Sequence, residues 1–411
     1  MRDPYFYPKL RWPIDLSIQG EGQQAALVMR CPIGLSPQPL ALIPGLAPII
    51  SEFTGQNSLA NLVIKFQNYG VSEELLRELV KILDQNLFLE TPNFFNRERQ
   101  IKDEYHASGQ RLPALANLSY PADPVTLTKE IENYLALNKT KSFLKKDLVA
   151  LVAPHIDYRR GGSCYGNTYS YLRQQNHDLL ILMGTAHQYS PQLFHLCSKD
   201  FITPLGVLPC KKSLVSNLAK LYGIERSFAD EFLHKNEHSL ELQTPFLKHL
   251  TNNVAILPIL IGSFYSILQK QILPNQHQTY EDFAGALTEV LRNELKSGTR
   301  IGFISGVDMA HIGQAFGDKD RLTPDFMDHI RSRDEVYLNT IVQQDKKSLF
   351  EHISEDNDAR RICGFPSMYL MLDVLARLEI KYDTQIYDYQ QAVDYKSDCA
   401  VTFAGMGFYQ R

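Results

Sequence analysis

What this 411-residue chain lacks narrows its function before any motif is considered. Lys and Arg number 42 against 46 Asp and Glu, so no basic excess is available to neutralise a duplex, which argues against nucleic acid as a principal partner. No apolar run reaches the roughly 18 residues that read as a membrane-spanning helix. The longest candidate, LALIPGLAPII at 40–50, is short and broken by two prolines and a glycine. The amino terminus, MRDPYFYPKLRWPIDLSI, carries charges and prolines where a secretory signal needs uninterrupted apolar residues, so a cytoplasmic protein is expected. The six cysteines, at 31, 164, 197, 210, 363 and 399, include no CxxC pair and are too sparse for a disulfide scaffold, so most are expected reduced and buried. There is no internal repeat at periods of about 20–50 residues.

What is present suits a packed α/β protein of 44% hydrophobic and 21% charged residues, long enough for two domains. In residues 1–107, two short apolar helices precede an amphipathic one that starts at a Ser72 N-cap with Glu73 and Glu74 in its first turn. Leu75, Leu76, Leu79, Val80, Leu83 and Leu87 are expected to form one stripe. With the extended LFLE segment that follows, these helices predict a small winged-helix-like accessory domain. The polar stretch NFFNRERQIKDEYHASGQRL suits an exposed helix or linker, and places a boundary near residue 107. Beyond it, from 108 to 411, apolar runs at 148–154, 178–184, 254–261 and 300–307 alternate with helical patterns at 163–174, 211–222, 238–250, 279–297, 325–342 and 366–379. Two further strands are expected at 383–390 and 398–405. That alternation predicts a mostly parallel sheet covered by helices on both faces.

Three of these runs end in polar signatures: VALVAPHID at 149–157, LLILMGTAHQ at 179–188 and IGFISGVDMAHIG at 301–313. His155, His187, Asp308 and His311 therefore fall just past strand ends, where open α/β sheets form their ligand crevices. Histidines in such places can be satisfied structural imidazoles, but two at equivalent positions on successive strands can also approach one metal. Asp308 and His311, three apart, can face one pocket, the carboxylate holding the imidazole tautomer or sharing a metal; a purely structural Asp–His bond explains the spacing as well. In HKNEHSLELQTPFLKHL, His238 and Glu241 share a helix face directed towards the site, whereas Glu237 reads as a solvated charge on a capped helix. Cys363, in RRICGFPSMYLMLDVL just before a helix and beside Arg360 and Arg361, is expected to have a lowered pKa. Two imidazoles and this thiolate make a three-ligand set suited to copper, iron or zinc.

The motifs APHIDYRRGG, ILMGTAH, NEHSLELQTPF, PILIG, SGVDMAHIG and ICGFP, in this order over residues 110–411, resemble the Memo family, also called AmmeMemoRadiSam system protein B. Residues 1–107 resemble PqqD-like winged-helix domains, which bind peptides or partners. The Memo resemblance implies a fold similar to class III extradiol, non-haem iron dioxygenases. Carried over by motif, pocket histidines fall on His155 and His187, the pocket cysteine on Cys363, the Asp–x–x–His pair on Asp308 and His311, and the EHS histidine on His238. Two departures stand out: HIDY replaces HAGY, adding Asp157 to the pocket region, and ELQTP places Gln243 where some relatives have histidine.

The expected function is thus a metal-dependent redox enzyme of dioxygenase-like type. Iron or copper would be held by His155, His187 and Cys363, with Asp308, His311 and His238 as supporting or proton-transfer groups. Its substrate would be a small molecule or peptide, and the resemblance implies a radical-SAM protein as a partner. The rival expectation is a non-catalytic scaffold or a module that binds peptides or phosphopeptides in the same pocket, supported by the helical amino-terminal part and the aromatic Tyr5, Phe6 and Tyr7.

Overall fold

The computed structural model describes residues 2–20, 22–32, 34–36, 38–137 and 146–411, which form two compact units, Met1–Ser108 and Gly109–Arg411. No helix among the described residues is long and apolar enough to cross a membrane.

The first unit opens with an antiparallel sheet of β1 (Asp15–Gln19), β2 (Ala26–Arg30) and β3 (Leu40–Leu42), which the sequence pattern did not reveal. Helices follow at Ala47–Ser51, Leu59–Lys65, Glu73–Gln85 and Pro92–Ala107. Ser58, Ser72 and Thr91 each start one by accepting a backbone N–H three residues on. Leu76, Leu79, Val80 and Leu83 are buried, but Leu75 is exposed and Leu87 lies beyond the helix end at φ 63°. The sheet precedes the helices, and the LFLE segment contributes only a single bridge from Leu89 to Leu10. The polar stretch after Thr91 is a helix that buries Phe94, Ile101 and Tyr105.

The second unit contains β4 (Gln110–Arg111), β5 (Leu148–Ala153), β6 (Leu179–Thr185), β7 (Phe194–Leu196), β8 (Asp200–Thr203), β9 (Gly206–Leu208), β10 (Ala255–Ile261), β11 (Ile301–Gly306), β12 (His311–Ile312), β13 (Tyr382–Asp394) and β14 (Cys399–Gln410). Among the described residues, the main sheet runs β12-β14-β5-β11-β6-β10-β7, with β13 on β14, and β4, β8 and β9 form a small separate sheet. The pairs β5–β11, β11–β6 and β6–β10 are parallel, whereas β7, β12, β13 and β14 pair antiparallel. The sheet is therefore mixed and not mostly parallel. A connection as short as residues 395–398 between β13 and β14 permits only a hairpin, because a parallel return needs a crossover of a dozen or more residues.

The parallel strands read as unbroken apolar runs because both faces are covered. In β6, Leu179, Ile181 and Met183 enter the core formed with helices Lys212–Tyr222, Gln278–Lys296 and Phe365–Arg377, while Leu180 and Leu182 enter the opposite core with helices Pro124–Ala136 and Tyr158–Tyr169. The Tyr158–Tyr169 helix begins five residues earlier than its sequence pattern suggested. Its glycine pair, which as part of HIDYRRGGSCYG reads in the sequence as turn chemistry, serves close approach instead: a Cβ on Gly162 would lie 2.2 Å from the Tyr134 ring.

Candidate metal centre

Parallel register brings the carboxyl ends of the inner strands level, since Gly306 pairs with both Ala153 and Gly184. His155 stands two residues beyond β5 and His187 two beyond β6. His238 comes from elsewhere, as the first residue of the His238–Glu241 helix. Ring centroids are 5.0 Å apart for His155 and His187, 5.1 Å for His155 and His238, and 4.4 Å for His187 and His238. One nitrogen from each ring lies within 4.8 Å of the other two, a group able to hold a metal ion. Cys363 Sγ is 3.3 Å from His155 Nε2 and 3.8 Å from the Asp308 carbonyl oxygen. The two imidazoles and the thiol singled out in the sequence thus meet, and His238 joins them in the innermost cluster.

Close packing of the helix onto the strand ends makes this meeting possible. A Cβ at Gly306 would lie 2.5 Å from the Ser239 carbonyl oxygen and 2.6 Å from the Gln243 amide nitrogen, so only glycine admits the segment that carries His238. Gln243 braces the same segment, donating to the carbonyls of Pro154 at 2.9 Å and Ser239 at 3.1 Å and accepting from the Tyr169 hydroxyl at 2.8 Å. His155 is buried, while the side chains of His187 and His238 remain 34% and 40% exposed, so solvent reaches the centre from their side. A cavity of about 200 Å³ borders Cys363, walled by Thr185, Phe264, Leu268, Ile362, Phe365 and Pro366.

Each imidazole is oriented by its Nδ1. His155 Nδ1 donates to the Gly306 carbonyl at 3.0 Å, and His187 Nδ1 to Glu237 Oε1 at 2.9 Å. His238 Nδ1 lies 3.1 Å from the same oxygen. His311 directs Nδ1 at the carbonyls of Met309 and Arg361, at 3.1 and 3.2 Å. Asp308 instead accepts the backbone N–H groups of His155 at 2.8 Å and Ile156 at 3.3 Å, so it and His311 make separate sets of contacts where the sequence suggested a pair.

Burial, with His187 and His238 alongside, pushes His155 well below the ordinary imidazole pKa. Burial and His187 likewise push His311 down to about 4. Burial works against protonation of His187, but the Glu237 carboxylate and the Cys363 sulfur outweigh it and raise this ring well above the usual value. Asp308 is pushed up to about 6 by burial, against the backbone N–H of His155.

Four expectations are corrected here. Glu237, read as a solvated charge, is buried with its carboxylate on His187 and His238. Glu241, placed near the site by helical spacing, turns away from it to pair with buried Arg111 at 2.5 Å, and accepts the backbone N–H groups of Ala114 and Leu115. Burial raises the Cys363 pKa, against the opposing influence of His187, whereas Arg360 and Arg361, expected to lower it, are paired with Asp356 and Asp318. Asp157 adds no charge to the centre: its carboxylate caps the Tyr158–Tyr169 helix and pairs with Arg160 at 2.6 Å.

The donor chemistry fits a metal. The Gly306 carbonyl can only accept, and so can an ionised Glu237, which His187 and His238 hold well below the usual carboxylate range against the effect of burial. Protons on Nδ1 leave Nε2 as the ligating nitrogen of each ring, the arrangement found in histidine metal sites; on His187, whose raised pKa favours the doubly protonated ring, a bound metal takes the place of the Nε2 proton.

The model of the Memo-like protein family matches residues 111–407 of the chain. A MEMO1 family protein of Aquifex aeolicus is 28% identical over 405 residues, covering 98% of this chain and all of that protein. MEMO1 family proteins of Archaeoglobus fulgidus and Thermococcus kodakarensis are 26% and 28% identical, cover 69% and 72% of this chain, and are themselves matched over 97% and 99% of their length.

Proposed function

The chain belongs to the Memo-like protein family, and from that premise we propose that it is a metal-dependent oxidoreductase of dioxygenase-like type whose centre holds iron or copper. The observation that carries this reading is the convergence of His155, His187, His238 and Cys363 at the level strand ends. His155, His187 and Cys363 are assigned as metal-holding groups, with His238 beside them. When bound, iron or copper supplies one-electron redox chemistry that the side chains alone lack.

The remaining residues handle protons and position. Asp308, with a pKa of about 6, changes charge near neutral pH while two backbone N–H groups keep it in place. His311, held neutral and with Nδ1 tied to two carbonyls, offers Nε2 as a base. The cavity beside Cys363 seats a small molecule or a peptide side chain against walls formed by Phe264 and Phe365. The family resemblance adds a radical-SAM protein as partner, in a multi-protein modification system.

Elemental analysis of the full-length chain, purified without added metal, tests the assignment. Iron or copper near one per chain, oxygen-dependent turnover, and loss of both in His187→Ala and Cys363→Ala support it. Absence of both metal and turnover in the unaltered chain, with peptide or phosphopeptide binding unaffected by those substitutions, refutes the enzyme in favour of a recognition module.

A further inference from the structure

Glu237 makes contacts that its place in the sequence does not announce. It is 6% exposed, and its Oε1 alone faces His187 Nδ1 at 2.9 Å, His238 Nδ1 at 3.1 Å and the Ser239 N–H at 3.1 Å. Its Oε2 accepts the His187 backbone N–H at 2.9 Å. Two imidazoles therefore share one carboxylate oxygen, and their rings lie nearly parallel, 22° apart.

An acceptor shared in this way decides what both rings can do. A carboxylate oxygen donates nothing, so each ring must place a proton on Nδ1, and each is left with Nε2 for another partner. His155 reaches the same condition through the Gly306 carbonyl. The backbone of Glu237 is fixed as well, because its carbonyl accepts from Arg111 Nη2 at 3.1 Å and Arg111 is itself buried. His238 thus depends on the segment 237–241 for its placement and on Glu237 for its tautomer.

Resting on the metal-centre reading above, we infer that Glu237 is the positioning residue of this centre: by accepting both Nδ1 protons on one oxygen, it makes His238 a third nitrogen ligand beside His155 and His187. Cys363 then completes the set as the sulfur donor. The arrangement gives the buried carboxylate a role beyond capping the His238–Glu241 helix through the Ser239 N–H.

Counting imidazoles on the metal tests this without measuring turnover. In the full-length chain carrying Cys363→Ser, which keeps added copper as Cu(II), electron spin-echo modulation from the remote ring nitrogens reports how many imidazoles bind. Three are expected with Glu237 in place and two after Glu237→Gln. In the full-length chain with Cys363 intact, Glu237→Gln is also expected to weaken Zn(II) binding by roughly 10–100-fold in chelator competition. His238→Asn, which leaves the carboxylate untouched, should give two imidazoles, and keeps the test decisive if Glu237→Gln fails to fold. Equal counts with and without Glu237, or three imidazoles in His238→Asn, overturn this inference while the metal-centre reading stands. Failure of the unaltered chain to bind Cu(II) or Zn(II) overturns both.

Discussion

Replacing Glu241 with leucine should destabilise the larger unit more than any change to a surface charge. The Glu241 and Arg111 side chains are each 1% exposed, and their ion pair is 2.5 Å long. The carboxylate also accepts the N–H groups of Ala114 at 3.1 Å and Leu115 at 2.7 Å and the Tyr120 hydroxyl at 2.5 Å. Glu241→Leu leaves a buried guanidinium without its counter-charge, which costs about 3–5 kcal/mol, whereas an exposed pair is worth about 0–1 kcal/mol. At about 2–4 °C per kcal/mol, the loss corresponds to a melting temperature lower by roughly 6–20 °C in scanning calorimetry. Arg111→Met combined with Glu241→Leu should recover much of that loss, because no uncompensated charge then remains. A single-variant decrease below about 2 °C, or a double variant whose loss equals the sum of the singles, would refute the reasoning.

Two other outcomes follow from burial at single positions. His195 is buried in β7 and burial pushes its pKa down to about 4; the unfolded chain takes up its proton near the ordinary 6.5 while the folded chain refuses it, so stability falls as pH drops from about 6.5 to 4, by up to about 3 kcal/mol. His195→Phe should flatten that part of the urea-midpoint profile against pH, and an unchanged slope would count against it. Gly306→Ala places a methyl group against the Ser239 carbonyl, so it should cost about 1–3 kcal/mol by overpacking and weaken Zn(II) binding as the His238 segment shifts; unaltered affinity would show that the close approach does not matter to the centre.

The parts of this fold legible in the sequence are those governed by short-range patterns. The apolar runs at 148–154 and 178–184 became β5 and β6 within a residue because two-sided burial writes itself as continuous hydrophobicity. The Ser72 cap is equally local, an oxygen reaching an amide three residues away. Where local pattern and long-range contact diverged, the pattern misled. Helical spacing in NEHSLEL turned Glu241 towards the site and left Glu237 in solvent, yet Glu237 serves the histidines and Glu241 pairs with an arginine 130 positions earlier in the chain. The glycines after Tyr158 looked like a turn because the packing of Tyr134 against them leaves no local trace.

By itself the sequence determined that His155, His187 and Asp308 fall just past the ends of buried strands, and that a thiol precedes a late helix at Cys363. The tertiary structure alone decided that these ends lie level, that His238 enters the same hollow, and which glutamate holds it there. Strand runs follow from the hydrophobicity of neighbours along the chain, whereas the meeting of donor atoms depends on register, crossover and packing between segments that share no local signal.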